Sequence, residues 1–299
     1  MIHSSSSKSI LYLCELAGIS RQKYYRSFWS VKEKRAKVDV AVSFVRNVRI
    51  QMPRIGTRKL YYILNEEFRS LKIGRDKLFL VLKSNNMLIK PKKKYHKTTN
   101  SYHRFHKHKN LVENVVLVRP EQVFVSDITY IGKRDNHRYL SLVTDAYSKK
   151  IMGFDVSNSL SPESALRALQ MAVKQRIYKC EPLIHHSDRG LQYCCDDYQK
   201  MLQKHKITVS MTESYSPYDN AVAERVNGIL KNEFLLEEIN CNLMTMQRIV
   251  KQSVSTYNSQ RPHLSCAMQT PDWTHHQREL KIKTYKKIDI FRRTPENIN

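Results

Sequence analysis

Three acidic residues of this chain stand out by where they fall. Asp188, in "IHHSDRGLQY", follows the apolar "LIHH", where a short buried strand runs out. Sites in mixed sheets gather at strand ends, because a side chain there meets solvent while the sheet holds its backbone. Asp127 lies inside the strand-like "FVSDITY", flanked by Val125 and Ile128. A carboxylate among such neighbours is either costly to bury or binds something positive. Glu224, in "NAVAERVNGILK", falls in a helical pattern. At about 100° per residue, Val222, Val226, Ile229 and Leu230 form one apolar stripe, and Glu224 and Lys231 share the far side within about 20°. Alone, that geometry describes a solvated glutamate and an ordinary exposed lysine.

The elements that must position these residues form two regions. From about residue 115 the pattern is strand-like: "QVFVSDITYI", turn residues "KRDNH", then "RYLSLVTDAY" and "KKIMGFDVS", an antiparallel meander. "SPESALRALQMAVKQR" follows as a helix with Ser161 as N-cap and Pro162 at its first position. Then come a strand in "PLIHHSD", a helix in "DDYQKMLQKH" opened by Asp196 and Asp197, a strand in "ITVSM" and the long helix "DNAVAERVNGILKNEF", capped by Asp219 and Asn220. The order is α/β. Asp145, in "TDAYSKK" near the end of the second strand, could approach the site, but capping the turn at Tyr147 and Ser148 is the favoured reading.

The first third reads as helical. "SSSSKSILYLCELAGISRQKYYRSF" predicts two short helices around a Gly18 turn, the second capped by Ser20, a weak helix-turn-helix pattern. After Pro53, "IGTRKLYYILNEEF" places Leu60, Ile63, Leu64 and Phe68 at helical spacing, and "GRDKLFLVLKSNNML" repeats this with Leu78, Val81 and Leu82. Arg75, Asp76 and Lys77 then occupy the first turn of a candidate recognition helix, with a purely structural helical bundle as the equal alternative. Residues 90–110 carry eight Lys or Arg and no acid, Lys92, Lys93 and Lys94 among them, and read as a basic linker tracking a phosphate backbone.

Charge supports a polyanionic partner. The chain holds 52 Lys and Arg against 27 Asp and Glu, a net +25, with 26 basic and 7 acidic residues before position 116. So uneven a balance calls for nucleic acid more than for a merely solvated surface. The six cysteines show no Cys-x-x-Cys pair, and His103, His106 and His108 sit among lysines without nearby acids, so neither a disulfide framework nor a zinc site is indicated. No apolar run reaches the roughly 18 residues of a membrane span. The expected location is cytoplasmic.

Thirty-five residues separate Asp188 from Glu224. With that spacing the chain resembles an insertion-sequence transposase of the retroviral-integrase superfamily, in the bacterial group whose enzyme is encoded by the downstream of two overlapping reading frames. The matching positions are Asp127 in "SDITYI", Asp188 in "HSDRGLQY", Glu224 in "NAVAERVNGILK" and, seven residues on, Lys231. "RIGTRKLYYIL", with Arg58 and Lys59, is similar to the family's amino-terminal helix-turn-helix, and "YNSQRPHLSCAMQTPDW", residues 257–273, to its carboxy-terminal signature. The likeness covers roughly residues 50–275. Phe124 departs from the Trp of many relatives, and Arg225, Val226 and Asn227 from a more aromatic run.

The resemblance implies a ribonuclease-H-like mixed-sheet catalytic core behind an all-α helix-turn-helix DNA-binding region. The expected domains are 1–35, a helix-turn-helix-like segment; 36–89, a second helix-turn-helix; 90–114, the basic linker; 115–240, the catalytic core; and 241–299, a helical segment with a basic tail. It further implies an Asp127–Asp188–Glu224 triad holding two Mg²⁺ ions, with Mn²⁺ able to substitute. Such ions, about 4 Å apart, suit attack on an anionic phosphorus, and Mg²⁺ prefers oxygen ligands. Expected DNA contacts are Lys231, Arg189, His186, Arg75, Lys77, Arg58, Lys59, Lys92, Lys93 and Lys94. For His186 and Arg189 simple packing is the equal alternative, and for Lys231 an ordinary exposed position. The implied partners are double-stranded DNA (element ends and target), further copies of the chain, and the upstream-frame protein, in a bacterial, nucleoid-associated setting. No residue stands out as a covalent nucleophile, so direct transesterification is expected. The rivals are a catalytically inactive transposase-derived DNA-binding protein and a structure-specific nuclease.

Overall fold

Alternation of β-branched and aromatic residues from position 123 onward produces a five-stranded mixed sheet. The computed structural model describes residues 10–90, 108–113, 115–212 and 220–278. Its strands are β1 (Val123–Ile131), β2 (Arg138–Asp145), β3 (Ile151–Ser157), β4 (Ile184–Ser187) and β5 (Thr208–Met211), in the spatial order β3-β2-β1-β4-β5. β1, β2 and β3 form the expected antiparallel meander. β4 and β5 run parallel to β1, each reached through a helical crossover. This is the ribonuclease-H-like arrangement.

The helices, in chain order, are α1 (Ile10–Leu16), α2 (Arg21–Gln51), α3 (Thr57–Ile63), α4 (Asn65–Ser70), α5 (Arg75–Ser84), α6 (Pro162–Lys174), α7 (Leu191–Cys194), α8 (Asp196–Lys204), α9 (Ala221–Asn232), α10 (Leu243–Ser259) and α11 (Pro271–His275). Contacts divide the chain into two units, residues 1–50 with 56–89 and residues 51–55 with 90–299. Among the described residues no helix is long and apolar enough to cross a membrane.

In the first unit the second helix is not short: α2 runs for 31 residues, continuing past position 35. Nothing in "RSFWSVKEKRAKVDVAV" can stop it, since it holds neither Gly nor Pro. The "IGTRKLYYILNEEF" helix is broken at Leu64 into α3 and α4, yet Leu60, Leu64 and Phe68 are buried as the spacing predicts. Leu78, Val81 and Leu82 of α5 are buried, while Arg75 and Lys77 stand exposed in its first turn, Arg75 paired with Asp76 at 2.9 Å. Lys92, Lys93, Lys94, Asp219 and the C-terminal tail lie outside the described residues.

In the second unit, Phe124, Val143, Met152, Leu169, Leu183, Tyr198, Leu202 and Met211 form the main core under α6 and α8. Ser161 and Pro162 hold the N-cap and N1 positions of α6, although the serine hydroxyl makes no capping bond. Gly153 of β3 is required by close packing: a Cβ there would lie 2.0 Å from the Ala168 carbonyl oxygen and 2.8 Å from the Ala172 nitrogen, both backbone atoms of α6. Gly153→Ala is therefore expected to destabilise the chain by about 3 kcal/mol, read as a lowered urea midpoint with an unchanged slope.

The carboxy-terminal signature proves to be architectural. Asn258 accepts from Ile151 N–H and donates to Ile151 C=O, both at 2.9 Å, closing the free edge of β3 as another strand would. Tyr257 Oη donates to the Lys149 carbonyl at 2.9 Å. Asp145 caps its turn as expected, accepting from Ser148 N–H and Oγ–H. It also faces the fully buried His275, whose imidazole lies 3.3 Å from both Asp145 and Glu121, with Arg176 on the other side of Glu121 at 3.0 Å. Burial opposes the charged imidazole, but hydrogen bonds with Asp145 and Glu121 outweigh it and raise its pKa. Glu121 is likewise pushed up by burial, yet bonds from His275, the Ile177 N–H and Arg176 leave it below the usual range. A raised histidine contributes stability that is complete below its unfolded value, about 6.5, and is lost as pH rises through the folded value. The melting temperature should accordingly fall as pH rises above 6.5, and His275→Gln should flatten that slope.

Candidate active site

The sheet brings Asp127 and Asp188 together by register. Val125 of β1 pairs with His186 of β4, and two residues further along the parallel strands come Asp127 and Asp188, on the same sheet face. Both are partly accessible. The Asp188 carboxylate is held by its own loop, Oδ1 accepting from Gly190 N–H at 3.0 Å. Any Cβ at Gly190 would come within 3.0 Å of that oxygen. Asp127 accepts from Ile128 N–H at 2.9 Å and from Asn227 Nδ2 at 2.7 Å.

Glu224 arrives from α9. Asn220, Glu224, Asn227 and Lys231, spaced by four, three and four, form one polar face of this helix, and three of them engage β1. Asn220 donates to Ser126 C=O at 3.0 Å, Asn227 to Asp127, and Lys231 Nζ reaches Thr129 Oγ1 at 3.4 Å. Asn220 thus sits at the N-cap position but makes no side-chain cap, its carboxamide being used on β1. Lys231 is half-buried with its amine on Thr129 of β1, rather than an ordinary exposed lysine. The opposite side of α9, Ala223, Val226, Ile229 and Leu230, is apolar and buried, so both faces of the helix are engaged.

The electrostatics tie the three acids to one another. Asp127 is pushed up to about 7, first by burial and then by the negative charge of Asp188, with Glu224 adding to the rise; the bonds from Asn227 and Ile128 offset part of it. Partial burial also raises Glu224. Tyr193 of α7 is buried in the same field: burial, then Asp188 and Asp127, push its phenol well above its ordinary value. Beneath them, His185 Nε2 lies 2.7 Å from Ser126 Oγ and 2.8 Å from Tyr198 Oη. Burial and the adjacent His186 pull its pKa down to about 3, so it stays neutral.

Among the described residues, no group of three His, Cys, Asp or Glu side chains stands assembled as a metal cluster. The donor chemistry nevertheless fits a hard divalent cation: the ligands on offer are carboxylate oxygens, and the repulsion that lifts Asp127 is what a cation relieves. His186 is fully buried with Nδ1 2.9 Å from Ser210 Oγ, so as placed it has no face for a phosphate; the packing alternative describes it. Arg189 is half-buried beside Asp188, Arg58 is exposed and Lys59 half-buried on α3. Sequence reading passed over Asn227 and Tyr193. The signal for Asn227 was present, since it lies about 60° from Glu224 on the helical wheel; for Tyr193 there was none, its approach to Asp188 depending on the turn at Gly190.

Known proteins match this architecture. Two family models, each described as an integrase core domain, match residues 118–217 and 205–271. The 31 kDa protein of insertion element IS600 from Shigella sonnei is 31% identical over 259 residues, 84% of this chain and 93% of that protein. The chain belongs to the insertion-sequence transposases of the integrase-core superfamily. Transposase InsF of insertion sequence IS3A from Escherichia coli K12 is 34% identical over 154 residues, 51% of this transposase and 53% of its relative. Among solved structures, the HTLV-2 integrase catalytic core domain in complex with magnesium is similar at a TM-score of 0.42 and 20% identity, over 53% of this chain and 99% of that one. A simian T-cell lymphotropic virus intasome gives 0.46 and 18%, over 75% and 78%. As a member of this family the transposase is a DNA-cutting and joining enzyme that acts in DNA transposition.

Proposed function

We propose that this chain binds the terminal inverted repeats of a mobile element and cuts and joins DNA strands at Asp127, Asp188 and Glu224. The observation that carries the reading is the convergence of three carboxylates from β1, the end of β4 and α9, close enough that two of them raise the third. These residues would hold two divalent ions, Mg²⁺ or Mn²⁺, which when bound activate an attacking hydroxyl and stabilise a leaving oxygen. Asn227 and Gly190 hold the Asp127 and Asp188 oxygens in place for that role. Lys231, half-buried beside Thr129, and Arg189, beside Asp188, supply positive charge for a DNA phosphate.

Among the described residues, no side chain at the site suits covalent attachment to DNA. Tyr193 is buried and its phenol is strongly disfavoured as an anion, the opposite of an activated nucleophile. Strand transfer is therefore direct: water frees a 3′ hydroxyl at an element end, and that hydroxyl attacks target DNA. Arg58, Lys59, Arg75 and Lys77 on α3 and α5, together with Lys92, Lys93 and Lys94 of the basic stretch, contact the repeat; residues 1–35 and 36–89, which share α2, act as one DNA-binding module, and 90–114, 115–240 and 241–299 as linker, catalytic core and carboxy-terminal segment. Two ends must meet, so a dimer or larger assembly forms on DNA at the nucleoid in the cytoplasm, with the upstream-frame protein as a further partner.

The test supplies a labelled oligonucleotide of the element end, with a free 3′ hydroxyl, together with supercoiled plasmid in Mn²⁺ or Mg²⁺. Label joined to plasmid, with none retained on denatured protein, is the expected result. A covalent protein–DNA adduct, or binding without joining, would overturn the reading, the latter in favour of an inactive DNA-binding relative.

A further inference from the structure

Two buried polar atoms without a hydrogen-bond partner belong to residues that are packed beside, or bonded to, the carboxylates. One is the hydroxyl of Tyr193, a residue only 2% exposed; the other is Oδ1 of Asn227, 4% exposed. They come from different elements, α7 and α9, and approach different acids. Tyr193 folds back over Gly190: the point a Gly190 Cβ would occupy is 3.6 Å from Tyr193 Cδ2 and 3.0 Å from Asp188 Oδ1, so ring and carboxylate flank the same glycine. Asn227 spends its Nδ2 on Asp127 Oδ2 at 2.7 Å, which keeps its own oxygen within one carboxamide width of that carboxylate.

Buried hydroxyls and amide oxygens are almost always paired, and an orphan of this kind calls for a physical reason. A Phe at 193 would fill the same space without the cost, as would an apolar residue at 227 beside Val226 and Leu230. The reason available here is hydration. Mg²⁺ and Mn²⁺ held by few carboxylates keep several waters, whose hydrogens need acceptors. Asn227 Oδ1 is such an acceptor, and the neutral Tyr193 hydroxyl can both accept from a water and donate to Asp188.

We propose that Tyr193 and Asn227 are positioning residues of the cation site: they bind the water shell of the ions and, through it, fix the Asp188 and Asp127 carboxylates. This rests on the carboxylate reading above and adds to it two residues that touch neither ion nor DNA. Outer contacts of this sort set the orientation of the ligands, and their loss weakens metal binding by about 10- to 100-fold.

The experiment is Mn²⁺ binding to the full chain without DNA, by electron paramagnetic resonance of free Mn²⁺, for wild type, Tyr193→Phe and Asn227→Ala, together with melting in EDTA. Each variant is expected to bind Mn²⁺ about tenfold or more weakly, and Tyr193→Phe to melt in EDTA at or above the wild-type temperature because it removes an unpaired hydroxyl. Unchanged Mn²⁺ affinity in Tyr193→Phe overturns the inference for Tyr193, and unchanged affinity in Asn227→Ala overturns it for Asn227. A lowered melting point in EDTA with unchanged affinity assigns the residue a structural role instead. If wild type binds no Mn²⁺, or an Asp127→Asn control measured alongside binds as tightly as wild type, the carboxylate reading itself fails, an outcome distinct from equal binding by wild type, Tyr193→Phe and Asn227→Ala.

Discussion

Asp127→Asn, Asp188→Asn and Glu224→Gln should each lower strand cleavage by on the order of 10³-fold or more while leaving DNA affinity and its salt dependence nearly intact. The separation follows from where the residues lie. Asp127 and Asp188 are partly accessible on one face of the sheet, Glu224 is exposed on α9, and none belongs to the hydrophobic core. Their contribution to DNA binding is unfavourable, since phosphate is repelled by carboxylates, whereas affinity comes from Lys and Arg. The effects should not add: with one ligand gone, a second loss removes little more, because the three act as a unit. Asp127→Asn carries an extra signature. Its carboxyl is raised to about 7 by burial and by Asp188, so this group costs the fold stability as pH rises from about 4 through 7. In a chelator at pH 8 the asparagine variant should therefore melt no lower than wild type. Loss of DNA binding together with cleavage would instead assign these residues to folding.

The second large effect is on stability and lies outside the site. Arg261→Ala should cost about 3 kcal/mol, the low end for breaking a buried ion pair, because the Glu233 left behind keeps 19% of its side chain exposed. Arg261 is 1% exposed, and its Nε and Nη2 meet Glu233 Oε2 and Oε1, each at 2.8 Å. Glu233 closes the C-terminus of α9, so the pair holds the helix that carries Glu224, Asn227 and Lys231. The guanidinium also lies 5.6 Å from the Tyr257 ring centroid. Lysine cannot reproduce the two-point contact, so Arg261→Lys should recover only part of the loss. Urea unfolding of the three proteins checks this, and a midpoint in Arg261→Ala equal to wild type would contradict it.

Much of the core was legible because its signals are local. Strand alternation at 123–131 and 138–145, the Ser161–Pro162 helix start and the apolar stripe of α9 each depend on neighbours within a few residues. Gly18 and Ser20 mark the turn and the start of α2 as read, but its length was missed because nothing in the sequence marks how far a helix without Gly or Pro continues. The break at Leu64 has no Gly or Pro to announce it. Within the site, Asp127 and Asp188 were legible as acids in apolar company. The burial of His186 was not legible: strand alternation puts positions 186 and 188 on one face, but only the pairing with β5 brings Ser210 to the His186 ring. The structural meaning of "YNSQRPH" could not be read at all, since Asn258 and Arg261 act on residues 107 and 28 positions away.

The central claim, that Asp127, Asp188 and Glu224 form a metal-dependent DNA-cleaving site, is tested most directly by nicking of supercoiled plasmid in Mn²⁺ and in Mg²⁺ by wild type and Glu224→Gln, with a chelator control. Metal-dependent nicking by wild type, absent with chelator and absent in the variant, is the predicted result. Equal nicking by both proteins, or nicking that survives the chelator, would contradict it.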